Sequence, residues 1–180
     1  MADETIGALI DGAELGFDGS SEDERRQIAA ICAHGSAAAA ARCFARIVAP
    51  ARLRGGSSEE TRALIEGARR FAAGAPAAAA LAWRPLVRDA GAAVGLLADA
   101  MVTAFAAAGD PILAIDVGLR SAADRALWGG ATLAMARAAQ VAQARGDAAL
   151  ATRLARQVVA AWRLADVRPP ILAALEEMAR

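Results

Sequence analysis

His34 is the sole histidine of this 180-residue chain, and with Cys32 and Cys43 it forms the one grouping whose types and spacing suit metal or nucleophilic chemistry. A structural zinc site needs four ligands, and a catalytic one needs an open position held by a supporting shell. Three soft candidates supply neither. His34 ends a run of helix-forming residues, where a partly charged imidazole interacts well with the helix dipole, so its expected role is structural. Cys32 and Cys43 read as small core residues. Carboxylates stand singly or in a leader cluster, without the Glu-x-x-His pattern of metal-binding bundles. No strand precedes a glycine-rich phosphate cradle. The sequence therefore offers no catalytic residue, no metal ligand set and no cofactor site, and the expectation is a non-enzymatic protein.

What remains for chemistry is arginine. The chain contains no Lys, so all twenty positive charges are Arg, balanced by twenty acids. Lys, Asn and Tyr are all missing, and all have AT-rich codons, which points to a GC-rich bacterial genome. Along the chain the charges segregate. Residues 1–24 hold eight acids and no base, residues 25–88 hold eleven Arg against Glu59, Glu60 and Glu66, and residues 89–180 hold nine of each. The middle stretch thus carries +8. A planar guanidinium binds carboxylate or phosphate bidentately, so this stretch reads as a docking surface for an acidic partner. Arg25, Arg26, Arg62, Arg69 and Arg70 are the candidate contact residues. Asp3, Glu4, Asp11, Glu14 and Asp18 could fold back and shield that face until a partner competes.

The elements that must position these arginines are helical. Hydrophobic residues make up 57% of the chain but aromatics only 4%, with alanine supplying most of the rest, which favours closely approaching helices. Folding at this length buries about 70% of the unfolded surface, enough for a core without staples. The most apolar stretch, Ala90 to Ala108, carries Asp99 near its middle, which costs roughly 2.5–3.5 kcal/mol in a bilayer and argues against a span. The opening Met-Ala-Asp-Glu-Thr has no basic or apolar signal region, and with two cysteines this points to a reducing cytoplasm.

Four glycine turns organise the helices: Ala33-His34-Gly35-Ser36, Ala72-Ala73-Gly74-Ala75, Ala107-Ala108-Gly109-Asp110 and Ala144-Arg145-Gly146-Asp147. The glycines are spaced by 39, 35 and 37 residues. Each closes a helical run, as the left-handed position after a helix demands, and a second run begins within two residues. Asp110 and Asp147 can cap the second helices, with Pro111 in a first-turn position, and Ser36 could do the same. Five residues past each glycine stands an alanine (Ala40, Ala79, Ala114, Ala151), small enough for the second helix to press on the first. The expected first helices run Ser21 to His34, Ser58 to Ala73, Ala90 to Ala108 and Gly130 to Arg145. The expected second helices run Ser36 to Ala49, Pro76 to Val87, Asp110 to Ala126 and Asp147 to Ala165. Ser21 with Glu24 forms a capping-box pattern, and Ser58 offers a cap. A last helix, Pro170 to Met178, would cover the open end.

These turns, with Ala114 and Ala151 after them, resemble tetratricopeptide and Sel1-like repeats over residues 21 to 165. Phe44 and Trp83 fall where that family carries a large side chain on its second helix, and Phe105 at an aromatic position of its first. The chain departs from the pattern at Gly118 and Ala155, which replace the large residue, in lacking a repeat-ending proline, and at Pro85, expected to break or kink its helix. The resemblance implies an all-α solenoid of about four antiparallel helical hairpins with a C-terminal capping helix, preceded by an acidic leader over residues 1–20. It also implies a concave face of first helices that holds a partner segment. The resulting expectation is a cytoplasmic adaptor or chaperone-like protein-binding module. A nucleic-acid-associated regulator using residues 25–88, and a subunit of an obligate, self-associating helical assembly, stand as alternatives.

Overall fold

The computed structural model describes residues 21–35, 37–48, 58–89, 97–123, 132–163 and 168–180. Among them are nine helices and no strand. They are α1 (Glu22–Ala33), α2 (Ala37–Val48), α3 (Glu59–Ala72), α4 (Pro76–Asp89), α5 (Ala98–Ala107), α6 (Pro111–Ala123), α7 (Leu133–Ala144), α8 (Ala148–Trp162) and α9 (Ile171–Met178). The chain divides into two compact units, Met1–Asp89 and Ala90–Arg180. The acidic leader and Ser36 lie outside the described residues.

Local chemistry fixes the helix ends. Ser21 and Glu24 make the expected capping box: the Ser21 hydroxyl accepts from the Glu24 amide at 3.1 Å while the Glu24 carboxylate accepts from the Ser21 amide at 3.4 Å. Ser58 accepts from the Thr61 amide at 3.2 Å. Asp110 and Asp147 accept from the Leu113 and Leu150 amides at 3.2 and 3.1 Å, each satisfying a donor that the helix leaves orphaned. Thr132 caps α7 in the same way, a start the sequence reading places two residues earlier, at Gly130.

Three of the glycine turns share one geometry. Gly74, Gly109 and Gly146 have φ of 75°, 78° and 88°. Each glycine amide donates back three residues, to Phe71, Ala106 and Gln143. The following amide donates back five, from Ala75 to Arg70, Asp110 to Phe105 and Asp147 to Ala142, at 2.9–3.0 Å. This is the Schellman pair of bonds, and it needs a residue that tolerates the left-handed region. The Gly35 turn borders Ser36 and so lies at the edge of the described chain. All four alanines five residues past the glycines are buried, none above 2% exposed.

In the first unit α1 packs on α2 and on α3, and α3 packs on α4. Trp83 of α4 is wholly buried and donates its indole N–H to the Leu64 carbonyl of α3 at 3.1 Å. Its ring lies directly over Gly67, where a Cβ would sit 2.5 Å from the indole Cε2 and nearer still to Nε1. Phe71 flanks the same indole, with ring centroids 6.0 Å apart. Cys32 and Cys43 are buried, as expected, but they are not separate core residues: a disulfide joins them, tying α1 to α2 across a Cα separation of 5.8 Å. Pro85 does not interrupt α4, which continues to Asp89. Pro85 and Leu81 are both exposed, so the helical bond that the proline removes lies on the side of α4 turned to water.

In the second unit α5 packs on α6 and α7, α6 on α7, α7 on α8, and α8 on α9. Gly118 of α6 is where the sequence departs from a large repeat residue, and the reason is a close approach: a Cβ there would stand 2.6 Å from the Ala138 Cβ and 2.8 Å from the Ala134 carbonyl of α7. Ala155 is wholly buried in the cluster formed by Met135, Ala139, Leu154, Val158 and, from α9, Leu175. Burial of α9 against α7 and α8 covers apolar surface that would otherwise meet water. Among the described residues no helix is long and apolar enough to cross a membrane.

Candidate partner-binding surface

The five arginines singled out by sequence are distributed over α1 and α3, which pack together. Their environments differ sharply. Arg25 is only 3% exposed and belongs to the interior of the unit. Its Nε is buried as well, so it does not present its charge to a partner.

Arg26 is a tie between helices. Its Nε donates to the Thr61 hydroxyl at 2.9 Å, and its guanidinium lies 3.6 Å from Glu22, 3.9 Å from Asp23 and 3.7 Å from Glu60. Thr61 is fully buried, and its hydroxyl also accepts from the Ser58 hydroxyl at 3.0 Å. The Ser58 amide, left without a partner inside α3, donates to the Glu22 carboxylate. That bond, more than the neighbouring Arg26 and Arg25 charges, holds the Glu22 carboxyl below its ordinary range. The start of α3 is thereby latched to the first turn of α1 by residues 35 and 36 apart in sequence.

Along α3, Arg69 and Arg70 share one carboxylate. Arg69 grips Glu66 with two parallel bonds, Nε to Oε2 at 2.9 Å and Nη2 to Oε1 at 2.8 Å, while Arg70 Nε reaches Oε1 at 2.7 Å. Hydrogen bonding from Arg69, reinforced by Arg70, holds the Glu66 carboxyl below its usual range despite some desolvation, and Glu66 in return raises Arg69. Arg70 also donates to the Ala78 carbonyl of α4 at 3.3 Å, bracing the α3–α4 pair. Arg62 is exposed and makes no ion pair among the described residues. Arg62 and Arg69 stand seven residues apart on α3, hence on one side of it, with Glu66 between them.

The outcome is a face less basic than its sequence. Two arginines of the five still project, Arg62 without an ion pair among the described residues and Arg69 half-exposed, while Arg25 is buried and Arg26 and Arg70 tie neighbouring helices together. The sequence reading did not see the sharing of Glu66, nor the burial of Thr61. The signal for the α1–α3 latch was nevertheless present, because Glu22 and Ser58, like Arg26 and Thr61, are separated by about one repeat length. His34 is exposed at the C-terminal cap of α1, and among the described residues no group of three or more His, Cys, Asp or Glu is arranged to hold a metal ion. Comparison with protein-family models, with curated proteins and with solved structures finds no match to this chain.

Proposed function

We propose that the chain is a helical-hairpin repeat module, related in architecture to tetratricopeptide and Sel1-like proteins, that binds a segment of a partner protein. The observation that carries this reading is the threefold recurrence of one turn, a positive-φ glycine with a Schellman bond pair and a buried alanine five residues on, at spacings of 35 and 37. Helix-on-helix packing between successive first helices within each unit, α1 on α3 and α5 on α7, supports a stacked pair of hairpins in each unit. In that arrangement α9 closes the last hairpin as a cap. Within the first unit α1 and α3 then line one face, and Arg62 and Arg69 project where an acidic partner segment would dock.

Intramolecular pairing of Arg26, Arg69 and Arg70 with carboxylates leaves too few open cations on α1 and α3 to track a run of phosphates, whereas a protein segment needs only one or two acidic side chains met there. The test is affinity capture with the tagged full chain, with and without nuclease, and mass spectrometry of what is retained. One polypeptide at near-equal stoichiometry that survives nuclease supports an adaptor or chaperone-like role. Retention of nucleic acid, or loss of every protein on nuclease treatment, replaces it with the nucleic-acid reading. Self-association alone replaces it with the obligate-assembly reading.

A further inference from the structure

Helix α8 carries a charge arrangement opposite to that of the first unit. Arg153, Arg156 and Arg163 stand three and seven residues apart, so they fall on one side of the helix in a row about 15 Å long. All three are exposed, and none pairs with a carboxylate among the described residues. Arg156 instead donates its Nε to the Ala179 carbonyl at 2.9 Å, which holds its guanidinium beside the row. The helix itself contains no acid, and the acid at its start, Asp147, is spent on the Leu150 amide. In the first unit, by contrast, Glu22, Glu60 and Glu66 answer the neighbouring arginines.

Beside the cations runs a depression of about 640 Å³ lined by Ala148, Ala149, Thr152, Arg153, Arg156 and Gln157. Its lining includes the small side chains of Ala148, Ala149 and Thr152, where another backbone can come close, and the two guanidiniums of Arg153 and Arg156. The row contains no aromatic side chain on which a base could stack, and its three cations suit carboxylates repeated along a helix better than a continuous phosphate backbone.

We infer that the outward face of α8 is a docking site for an acidic helix of a partner protein, its Asp or Glu side chains repeating at spacings of three and seven and small residues between them seated on Ala148, Ala149 and Thr152. The inference rests on the reading of the chain as an interaction module and adds a second surface to it, distinct from the α3 face. Three pairs of opposite charge would set register and orientation, while the small side chains of the depression set how near the two helices lie.

The probe is a fluorescein-labelled, end-blocked 18-residue alanine-based peptide with Glu at those spacings, paired with a second peptide in which Gln replaces each Glu. Fluorescence anisotropy with the full chain reads its Kd. The Glu peptide is expected to bind at least tenfold more tightly than the Gln peptide. Combined Arg153→Gln and Arg163→Gln, which leave the Arg156–Ala179 bond in place, should weaken it at least tenfold. Arg62→Gln with Arg69→Gln on α3 should leave it within twofold. Circular dichroism of each variant checks that the helices persist. Unchanged binding by the α8 variant, or no binding of the Glu peptide at all, overturns the α8 site. Loss through the α3 variant alone overturns it too, but leaves the interaction-module reading standing. An oligonucleotide of equal charge that binds more tightly than the Glu peptide, and is lost with the same α8 substitutions, overturns the choice of a protein partner.

Discussion

Replacing Gly67 by Ala should destabilise the protein, although alanine in a helix interior is ordinarily better than glycine by about 1 kcal/mol. The added methyl would stand 2.5 Å from Trp83 Cε2. Since Nε1 would be nearer still, restoring ordinary contact requires the indole to retreat by about 1.5 Å. Trp83 is wholly buried, so it has nowhere to go without displacing other core side chains, and that overpacking costs about 1–3 kcal/mol. Retreat also lengthens the 3.1 Å bond from its Nε1 to the Leu64 carbonyl, and a buried donor left unsatisfied costs about 1–3 kcal/mol. Set against the propensity gain, the net loss is about 3 kcal/mol. Urea unfolding followed by circular dichroism at 222 nm measures it. Trimming Trp83 to Leu should make the same Gly67→Ala change much less costly, because the clash has gone, and the double-mutant cycle then shows strong coupling. A Gly67→Ala protein as stable as wild type, or more so, would refute the packing argument.

At Gly109, by contrast, an added Cβ meets nothing within 4 Å, so Gly109→Ala isolates the cost of φ at +78°; about 1 kcal/mol is expected from urea titration, and a stabilised variant would contradict the Schellman geometry. The Cys32–Cys43 bond closes a short loop, with the two residues 11 apart, and constrains the unfolded chain by about 3 kcal/mol. Unfolding with and without dithiothreitol should differ by about that amount, and equal midpoints would show that the bond contributes nothing. Glu66 titrates below its ordinary range when folded, so its contribution is present above the unfolded carboxylate pKa and fades as pH falls through the depressed folded value. With a side chain 36% exposed, solvent screening limits it to roughly 0.5 kcal/mol. Glu66→Gln should therefore cost that much at pH 7 and progressively less as pH falls below the ordinary carboxylate range, and a cost independent of pH would rule out the ion pair.

The helices were readable because their punctuation is local. Ser21 with Glu24, Ser58, Asp110 and Asp147 cap where a short polar side chain precedes a helical run, and Gly74, Gly109 and Gly146 supply the backbone conformation that ends one. The break expected at Pro85 is absent, and Pro85 and Leu81 both lie on the exposed side of α4, where losing one helical hydrogen bond costs least. That fact belongs to tertiary structure. The same holds for Gly118, which breaks the repeat pattern in sequence yet is explained by the Ala134 carbonyl and Ala138 methyl pressed against it. Arginine positions could be counted, but their duties could not. Arg25 turned inward, Arg26 became a tie to Thr61, and Arg69 and Arg70 were claimed by Glu66, whereas the exposed row on α8 drew no notice because the second half of the chain balances to zero. Charge summed over a segment does not say which charges are already answered.

We propose that this chain works by holding another protein. Native mass spectrometry of the complex recovered by the tagged full chain after nuclease treatment tests it most directly, run in parallel for wild type and for a variant carrying Arg62→Glu and Arg69→Glu. The account predicts a single polypeptide bound at a fixed ratio to the wild type and lost, or strongly depleted, with the charge-reversed α3. A wild-type protein recovered alone, or a retained species that is nucleic acid, would contradict it.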